Sequence, residues 1–395
     1  MRAMVVREYG TAPVVSEVAG PAWPAGEVLA ASLNPVDVAV AAGLNPFRRP
    51  ELPLVLGLDG VARRADGALV HFFWPAAPYG AFAERVPLAG AETVPLPDGL
   101  DPSRAAALGI CGVAAWTALA GTGALRPGES VLVLGANGQV GRIAVQAARL
   151  LGARRVTGVV QHETAREAPL RLGADTVLTS QDRPTLTERL LEPDQRSYDV
   201  ILDTLWGPVI PAAAGAAATG ARVVHLGNSA GALATLAGPA IRKNRVSILP
   251  YAIFTVPARE RSDAFARLAE HAAAGELTVE YRETGLEALP AFWDDFAAGR
   301  ADTRIIVKPN EATPHMTGPA RTCIQQETTG PSPGFPAREP SAEAPLLTSG
   351  NHQNLSARTG EGPVLADAPE PLAPSTGRGR PRINPPEGNH HDHHR

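Results

Sequence analysis

The sequence predicts an α/β protein: a parallel sheet covered by helices, beside a second domain rich in β-strands, with a C-terminal stretch of different character. Three observations predict it. Between residues 119 and 250, strand-like and helix-like runs alternate, the pattern of a parallel sheet with crossover helices. Ahead of that segment, short β-like runs are punctuated by prolines and glycines. Beyond Pro309, no apolar period of 2 or 3.6 is sustained.

In order along the chain, AMVVREY, GEVLAASL and YGAFAERVPL read as strands of the first domain, residues 1–118. In the middle domain, 119–250, VLVLG, RVTGVV, DVILD and RVVHLG are β-branched and apolar throughout, as strands covered on both faces must be. QVGRIAVQAARLL and TLTERLL, between them, are helical. Residues 251–309 return to mixed structure and complete the first domain. There SDAFARLAEHAAAG is an amphipathic helix with Gly275 at its C-cap, and RIIVKP is a final strand. In 310–395, Pro, Gly, Ser, Thr and charge dominate. Such a segment cannot bury enough apolar surface to offset its ordering entropy, so it reads as a disordered tail. It ends GNHHDHHR, and His390, His391, His393 and His394 are read as part of that tail rather than as a metal site.

Composition narrows the function. The 395 residues are 44% hydrophobic, sufficient for a substantial core, and the formal net charge of −4 comes without a long basic block. Neither nucleic acid nor an anionic membrane surface is an expected partner. No uninterrupted apolar run is long enough to span a bilayer. Two cysteines, Cys111 and Cys323, exclude a disulfide framework and a zinc site of several thiolates. The start, MRAMVVREYG, lacks the apolar core of a signal peptide, and a cytoplasmic location is expected.

The stretch VLVLGANGQVG carries the most chemistry. A strand that ends in glycines and opens a helix leaves backbone N–H groups free at the positive end of the helix dipole, a seat for a phosphate anion. In the dinucleotide fingerprint G-x-G-x-x-G, Ala136 takes the first position and Gly138 and Gly141 the other two. Gly138 allows a pyrophosphate to approach the backbone; Gly141 allows the helix to pack on the strand. Gly135, Ala136, Asn137, Gly138, Gln139, Val140 and Gly141 are the expected cofactor loop. At the tip of the next strand, where an NAD site places an acidic residue, stand Gln161 and His162, with Arg166 a turn away. That favours NADP, although Glu163 could take the acidic role. His162 reads equally as a surface histidine.

These motifs, in order, resemble those of the medium-chain dehydrogenase/reductase superfamily, and within it the zinc-independent quinone oxidoreductases related to zeta-crystallin. The resemblance covers residues 1–309. ASLNPVDVAVAAG resembles the family's Asn-Pro-x-Asp segment, PLVLGLDGVA its Gly-x-Asp-Gly turn, and YGAFAERVPL with LPDGLDPSRAAAL its passage into the cofactor domain. GVAAWTAL is similar to the entering helix, and VILDTLWG and ARVVHLGNSAG to the later strands beside the cofactor. The resemblance implies a Rossmann-type doubly wound sheet with a GroES-like catalytic domain, NADP(H), a quinone or enone substrate, and a homodimer or homotetramer. There are two departures: VARRADGALVHFFWPAAPYG is shorter than the family's run, and Thr303-Arg304 stand where the family reads Gly-Lys. Zinc-dependent members carry a Gly-His-Glu motif where this chain has Leu58-Asp59, and no cysteine precedes Cys111. No metal site is expected; His71, His162, His225 and His271 lie on different elements.

A quinone or conjugated enone has an electron-poor carbon and needs no Lewis acid to accept hydride; the site must supply orientation and donors for developing negative charge. Asn34 is a candidate donor, with Asn-Pro turn chemistry as its other reading. Asp37 is expected to cap a helix or fix Asn34. By resemblance Thr117 approaches the nicotinamide; its other reading is a helix threonine bonded to its own turn. Leu226, Gly227 and Asn228 end a strand on the cofactor side. Related enoyl reductases place a proton-donating tyrosine soon after Asn-Pro-x-Asp; here that region is AVAAGLNPFRRP, and Tyr79 and Tyr251 do not match it, so no catalytic acid is assigned. The expected activity is NADPH-dependent reduction of quinones or α,β-unsaturated carbonyls. Two alternatives stand beside it: a non-catalytic NADPH-binding protein and a zinc-type alcohol dehydrogenase.

Overall fold

A computed structural model describes residues 1–311 except Trp23, Arg48, Asp182, 193–196 and Asp302, with Arg183 described in its backbone alone. All described residues fall in one compact unit, Met1–Gln326. From residue 312 onward, the stretch read as a tail, with His390, His391, His393, His394 and Cys323, lies outside the described residues.

The first lobe begins with β1 (Arg2–Val6), β2 (Val14–Glu17), β3 (Gly26–Ser32), α1 (Pro35–Ala41), β4 (Leu54–Val55), β5 (Asp59–Arg63), β6 (Leu69–Phe73), β7 (Arg85–Val86) and β8 (Glu92–Pro95). β2, β1 and β4 form a small antiparallel sheet; β3, β5, β6 and β8 follow one another in a larger one, with β7 also paired to β3. Alternation along β1 explains its place: Met4 and Val6 enter the main core, while Ala3 and Val5 pack with Val55 and Ala83 in a separate cluster. YGAFAERVPL is not a continuous strand. Phe82 N donates to Leu56 O (2.9 Å), Ala81 N to Gly57 O (2.8 Å), and Met4 N to Phe82 O (2.8 Å), so its backbone is held by the start of one strand and the loop of another. A side chain at Gly80 would collide with the carbonyls of Val55 and Leu56, which is why glycine stands there.

Helix α2 (Pro102–Thr117) leads into the second lobe. Asp101 caps it, accepting from Arg104 N at 2.9 Å, and Pro102 occupies its first turn. With the turn that follows, it forms a run of 21 residues long and apolar enough to cross a membrane, yet 83% of that window is buried in the protein core. The helix breaks at Gly109, whose backbone is non-helical (φ −38, ψ −127).

The second lobe runs β9 (Ser130–Leu134), α3 (Gln139–Leu150), β10 (Arg155–Val160), α4 (Glu167–Arg171), β11 (Thr176–Thr179), α5 (Arg183–Leu191), β12 (Tyr198–Asp203), α6 (Ile210–Gly215), β13 (Ala217–His225), α7 (Gly238–Asn244) and β14 (Ser247–Pro250). Its six strands are parallel in the order β11-β10-β9-β12-β13-β14, a doubly wound sheet whose direction of growth reverses between β9 and β12. Both faces are covered: Val131 and Val133 of β9 enter one core, Leu132 and Leu134 the other. The chain then returns through α8 (Ala258–Ala273), β15 (Tyr281–Gly285), α9 (Leu289–Ala297) and β16 (Arg304–Lys308), and β16 pairs antiparallel with β3. α8 starts earlier than its amphipathic pattern suggested. Gly275 (φ +77) lies just past the C-cap residue Ala274, where the left-handed turn needs it.

Candidate cofactor cleft and acceptor end

β9 ends at Leu134, and the amides of Gly135 and Ala136 both donate to Val159 O on the neighbouring β10 (2.9 Å each), bending the chain sharply. Gly135 is left-handed (φ +82), and a side chain there would overlap the Thr204 hydroxyl, which donates to Leu134 O at 2.8 Å. A methyl group at Gly141 would overlap the carbonyl of Gly135, so this glycine lets α3 sit against the turn. Gly138 differs. It is exposed, caps α3, and an added Cβ would meet only Gly135 O, at 3.3 Å. Arg142 N donates to Gly138 O (3.0 Å), so the amides of Gln139, Val140 and Gly141 precede the helical ladder at the positive end of a 12-residue helix.

This turn opens onto a cleft of about 1070 Å³ at the carboxyl ends of β10, β9 and β12. Gly135, Asn137, Gly138, Gln139, Gln161 and His162 line it; the buried Ala136 and Gly141, and Val140, lie behind that surface. Ser180 and Gln181 face it beside His162, whose Nδ1 is 3.5 Å from Gln181 Oε1. The far wall is the segment 278–280 with residues 298–301 and Arg304. α3 is tied to that wall. Gln146 Nε2 donates to Thr278 O (2.9 Å) and Gln146 Oε1 accepts from Thr278 N (2.9 Å), while Arg142 reaches Glu280 (3.0 Å) and fixes Asn137 through its Nε (3.0 Å to O, 3.1 Å to Oδ1).

Several residues expected at the cofactor do not reach the cleft. Arg166 is closed onto Glu163 in an ion pair between neighbours on one turn and is not among the residues that line the cleft. Leu226, Gly227 and Asn228 are also absent from the lining; Ser229 and Ala230, just after them, supply that wall. The shift arises because Leu226 N and Gly227 N turn back to Asp203 O (2.8 and 3.4 Å).

At the inner end, Arg304 and Gln139 meet a buried polar cluster. Arg304 donates to Ser32 Oγ (3.0 Å), Asn34 Oδ1 (3.5 Å) and Gln139 O (3.4 Å). Asn34 is fully buried, and its amide Nδ2 donates to Ser32 O and to Asp59 Oδ1 (2.8 Å each). Its N–H groups are therefore directed into the protein, where they hold Ser32 and Asp59. Asp37 accepts from Asn34 N at 2.8 Å in a capping box at the start of α1, the capping role expected of it. Burial pushes the Asp37 carboxyl well above the usual range, and the nearby charge of Asp59 adds to the shift. Asp59 Oδ2 accepts from Ile110 N (2.9 Å), capping the half of α2 that restarts after the break at Gly109. The Cys111 thiol donates to Asn34 Oδ1 (3.4 Å) and faces Gln139 Oε1 (3.7 Å); burial raises its pKa against the pull of Arg304. His71 lies between Phe73 and Phe265 (centroids 4.3 and 4.0 Å). Its Nε2 is 3.4 Å from Asp59 Oδ2, outside hydrogen-bonding geometry, and burial lowers its pKa.

Thr117 lies elsewhere. Its hydroxyl donates to Val113 O (2.7 Å) on its own helix, the alternative reading of this residue, and accepts from Tyr251 OH (2.7 Å). It lines a separate small cavity of about 150 Å³ and not the cleft. Arg142, Gln181, Arg300 and Glu280 were not singled out from the sequence. Arg142 carried a usable signal, since it sits one residue past the glycine turn; the others reach the cleft only through tertiary packing.

Comparison with known proteins accords with this geometry. Residues 140–270 match the family model described as "Zinc-binding dehydrogenase". The chain is 33% identical over 222 residues to the quinone oxidoreductase of Rattus norvegicus, covering 52% of this chain and 66% of that protein. It is 32% identical over 261 residues to a subunit of the phenolphthiocerol/phthiocerol polyketide synthase of Mycobacterium tuberculosis, covering 64% of this chain and 12% of that one. Among solved structures, the quinone oxidoreductase of Thermus thermophilus, determined also with NADPH, superposes with a TM-score of 0.66 at 25% identity, covering 78% of this chain and all of that one. The chain belongs to the medium-chain dehydrogenase/reductase superfamily, among its quinone-oxidoreductase-like members. Its similarity to the curated relatives thus spans at most two thirds of their length. Although the matching family is named for zinc, among the described residues no three His, Cys, Asp or Glu side chains converge as metal ligands. At the inner end the carboxylates of Asp37 and Asp59 are taken up by Asn34 and by the N–H of Ile110, and the guanidinium of Arg304 faces the same cluster, a setting that does not fit zinc.

Proposed function

We propose that this chain is an NADPH-dependent, zinc-independent reductase that delivers hydride directly to a quinone or an α,β-unsaturated carbonyl. One observation carries the reading: the first turn of α3 meets the cleft through Gly138, the glycine of the turn with the most room for a side chain, at the point where the sheet reverses. NADPH, when bound, supplies the hydride. The amide of Gln139, in the cleft lining at the positive end of α3, would bond the pyrophosphate, with those of Val140 and Gly141 behind it adding to the field. His162, Ser180 and Gln181 face the adenosine end, where the Glu163 carboxylate is already engaged by Arg166; polar side chains beside a carboxylate that is already paired suit a 2′-phosphate. Arg304 and Gln139 close the inner end, and the Asn34–Asp59 pair holds that end rigid. The product takes its proton from solvent. Similarity to a protein determined with NADPH supports the choice of cofactor. A cytoplasmic homodimer or homotetramer belongs to the same proposal and rests on the family resemblance.

One feature favours a second reading, a nucleotide-binding protein without turnover: both Asn34 amide hydrogens are engaged inside the protein, leaving none to stabilise an oxyanion. A single experiment separates the two. Purified protein mixed with NADPH and a panel of quinones and enones should consume the reduced-nicotinamide absorbance, with NADH used less efficiently. Tight NADPH binding with no consumption by any acceptor would establish the second reading.

A further inference from the structure

We infer that Arg304 is an anion-binding residue of the cleft, whose guanidinium forms its ion pair with a negatively charged oxygen of a bound reactant. What those reactants are rests on the reductase reading above. Three arginines line the cleft. Arg142 is paired with Glu280 (3.0 Å) and Arg300 with Asp295 (2.6 Å). Arg304 differs from both: it is buried, at 4% exposure, and among the described residues its polar partners are all neutral oxygens. These are Ser32 Oγ (3.0 Å), Asn34 Oδ1 (3.5 Å) and Gln139 O (3.4 Å), which take up three of the five N–H groups that a guanidinium offers. Asp37 and Asp59 are bonded to Asn34, and they connect to the guanidinium through it.

A buried cation is costly unless an opposite charge compensates it. Arg261, buried to a similar degree, shows the usual solution, an ion pair with Glu92 inside the protein. Arg304 departs from that solution at a place where the protein is open to a ligand. It is also held firmly. β16 lies between β15 and β3, with Arg304 in register with Tyr281. A fixed guanidinium with N–H groups to spare is prepared for an anionic oxygen, which forms the stronger class of hydrogen bond. The residue stands between the phosphate seat, whose Gln139 it touches, and the inner end, whose Asn34 it touches. Two reactants can bring the anion there. The coenzyme carries a pyrophosphate. The acceptor carries a carboxylate, or a carbonyl oxygen onto which an electron pair is displaced as hydride arrives.

The test uses Arg304→Gln, which removes the charge, and Arg304→Lys, which keeps the charge but loses the planar fork of donors. One arm titrates 2′-phospho-ADP-ribose, which has the coenzyme's pyrophosphate without the reacting ring, into the protein by calorimetry. The other titrates benzoate, and its neutral counterpart benzamide, into the NADPH complex. In one of these arms Arg304→Gln should weaken anion binding about 30-fold and Arg304→Lys about threefold to tenfold, with benzamide binding unchanged. A loss in the first arm identifies the coenzyme as the source of the anion; a loss in the second identifies the acceptor. If circular dichroism shows that Arg304→Gln does not fold, Arg304→Lys carries both arms. Losses of no more than about twofold in both arms, or equal losses in Arg304→Gln and Arg304→Lys, overturn the inference. Failure to reduce any acceptor, with anion binding still dependent on Arg304, overturns the reductase reading and leaves the inference standing.

Discussion

Gly138 and Gly141 stand one helical turn apart and respond to a side chain in opposite ways. At Gly138 the added atoms enter the cleft and obstruct the phosphate seat, while an added Cβ would meet only Gly135 O, at 3.3 Å, far less closely than at Gly141. Gly138→Val should therefore weaken NADPH binding about 30-fold, the equivalent of one or two charge-assisted hydrogen bonds, with a smaller loss of stability than Gly141→Ala; calorimetry and a melting curve on one sample check both halves. At Gly141 the methyl meets backbone, which cannot yield cheaply. Gly141→Ala should lose about 1–3 kcal/mol of stability in urea titration. His71 gives a pH prediction. Its folded pKa lies below the ordinary 6.5, so the unfolded chain takes up a proton first as pH falls. Stability is then fully present above about 6.5 and declines as pH drops below it toward the folded value. His71→Phe, flanked by Phe73 and Phe265, should flatten the decline between pH 7.5 and pH 5. If both proteins lose equal stability over that interval, His71 is not its source. At this scale the sequence showed which residue types were present but not where they point. Asn34, Thr117 and Arg166 were all suitable donors by type, yet each found a partner within its own fold.

Among the elements, α2 shows how a break is built. Gly109 interrupts the helix, and a methyl group there would fall on the Asp59 carboxylate, which caps the helix as it resumes at Ile110. That carboxylate also holds Asn34. Removing it leaves two buried donors without an acceptor, so Asp59→Ala should cost about 2–5 kcal/mol in urea unfolding, more than Asp59→Asn, which retains an acceptor oxygen. The strands of the parallel sheet were legible because both faces are apolar, and their lengths follow from that. YGAFAERVPL was not, because its alternating pattern is satisfied by irregular hydrogen bonds to two different strands. No local pattern encodes such a partner. The break in α2 was equally hidden, since a glycine inside an apolar helix does not by itself show that a carboxylate from β5 occupies its place.

For the molecule as a whole, the cleft is closed by contacts distant in sequence: Gln146 with Thr278, and Arg142 with Glu280. Ligand that binds only the folded state adds stability by mass action, about 2.7 kcal/mol at a hundred times Kd. Saturating NADPH should raise the thermal midpoint by about 4 °C. Absence of a shift at NADPH concentrations that saturate by calorimetry would mean that the nucleotide is held outside the cooperative fold. The glycine turn was readable from sequence because it is local, and the doubly wound sheet around it was implied by the resemblance. The far wall, from Thr278 to Arg304, was not, because it is brought in by a chain that leaves the second lobe and returns to β3.

That return path bears on how the protein assembles. The two strands that flank the turn, β9 and β12, are neighbours in space, and the hydroxyl of Thr204 bonds Leu134 across a separation of 70 positions. The cleft takes walls from both halves of the sheet, Gly135 to Gln139 on one side and Thr204 and Leu205 on the other, so nucleotide lacks its full grip until these distant segments have met. Added coenzyme should then leave the refolding limb of a chevron where it was and depress the unfolding limb, acting as a lock on the finished molecule rather than a template for making it.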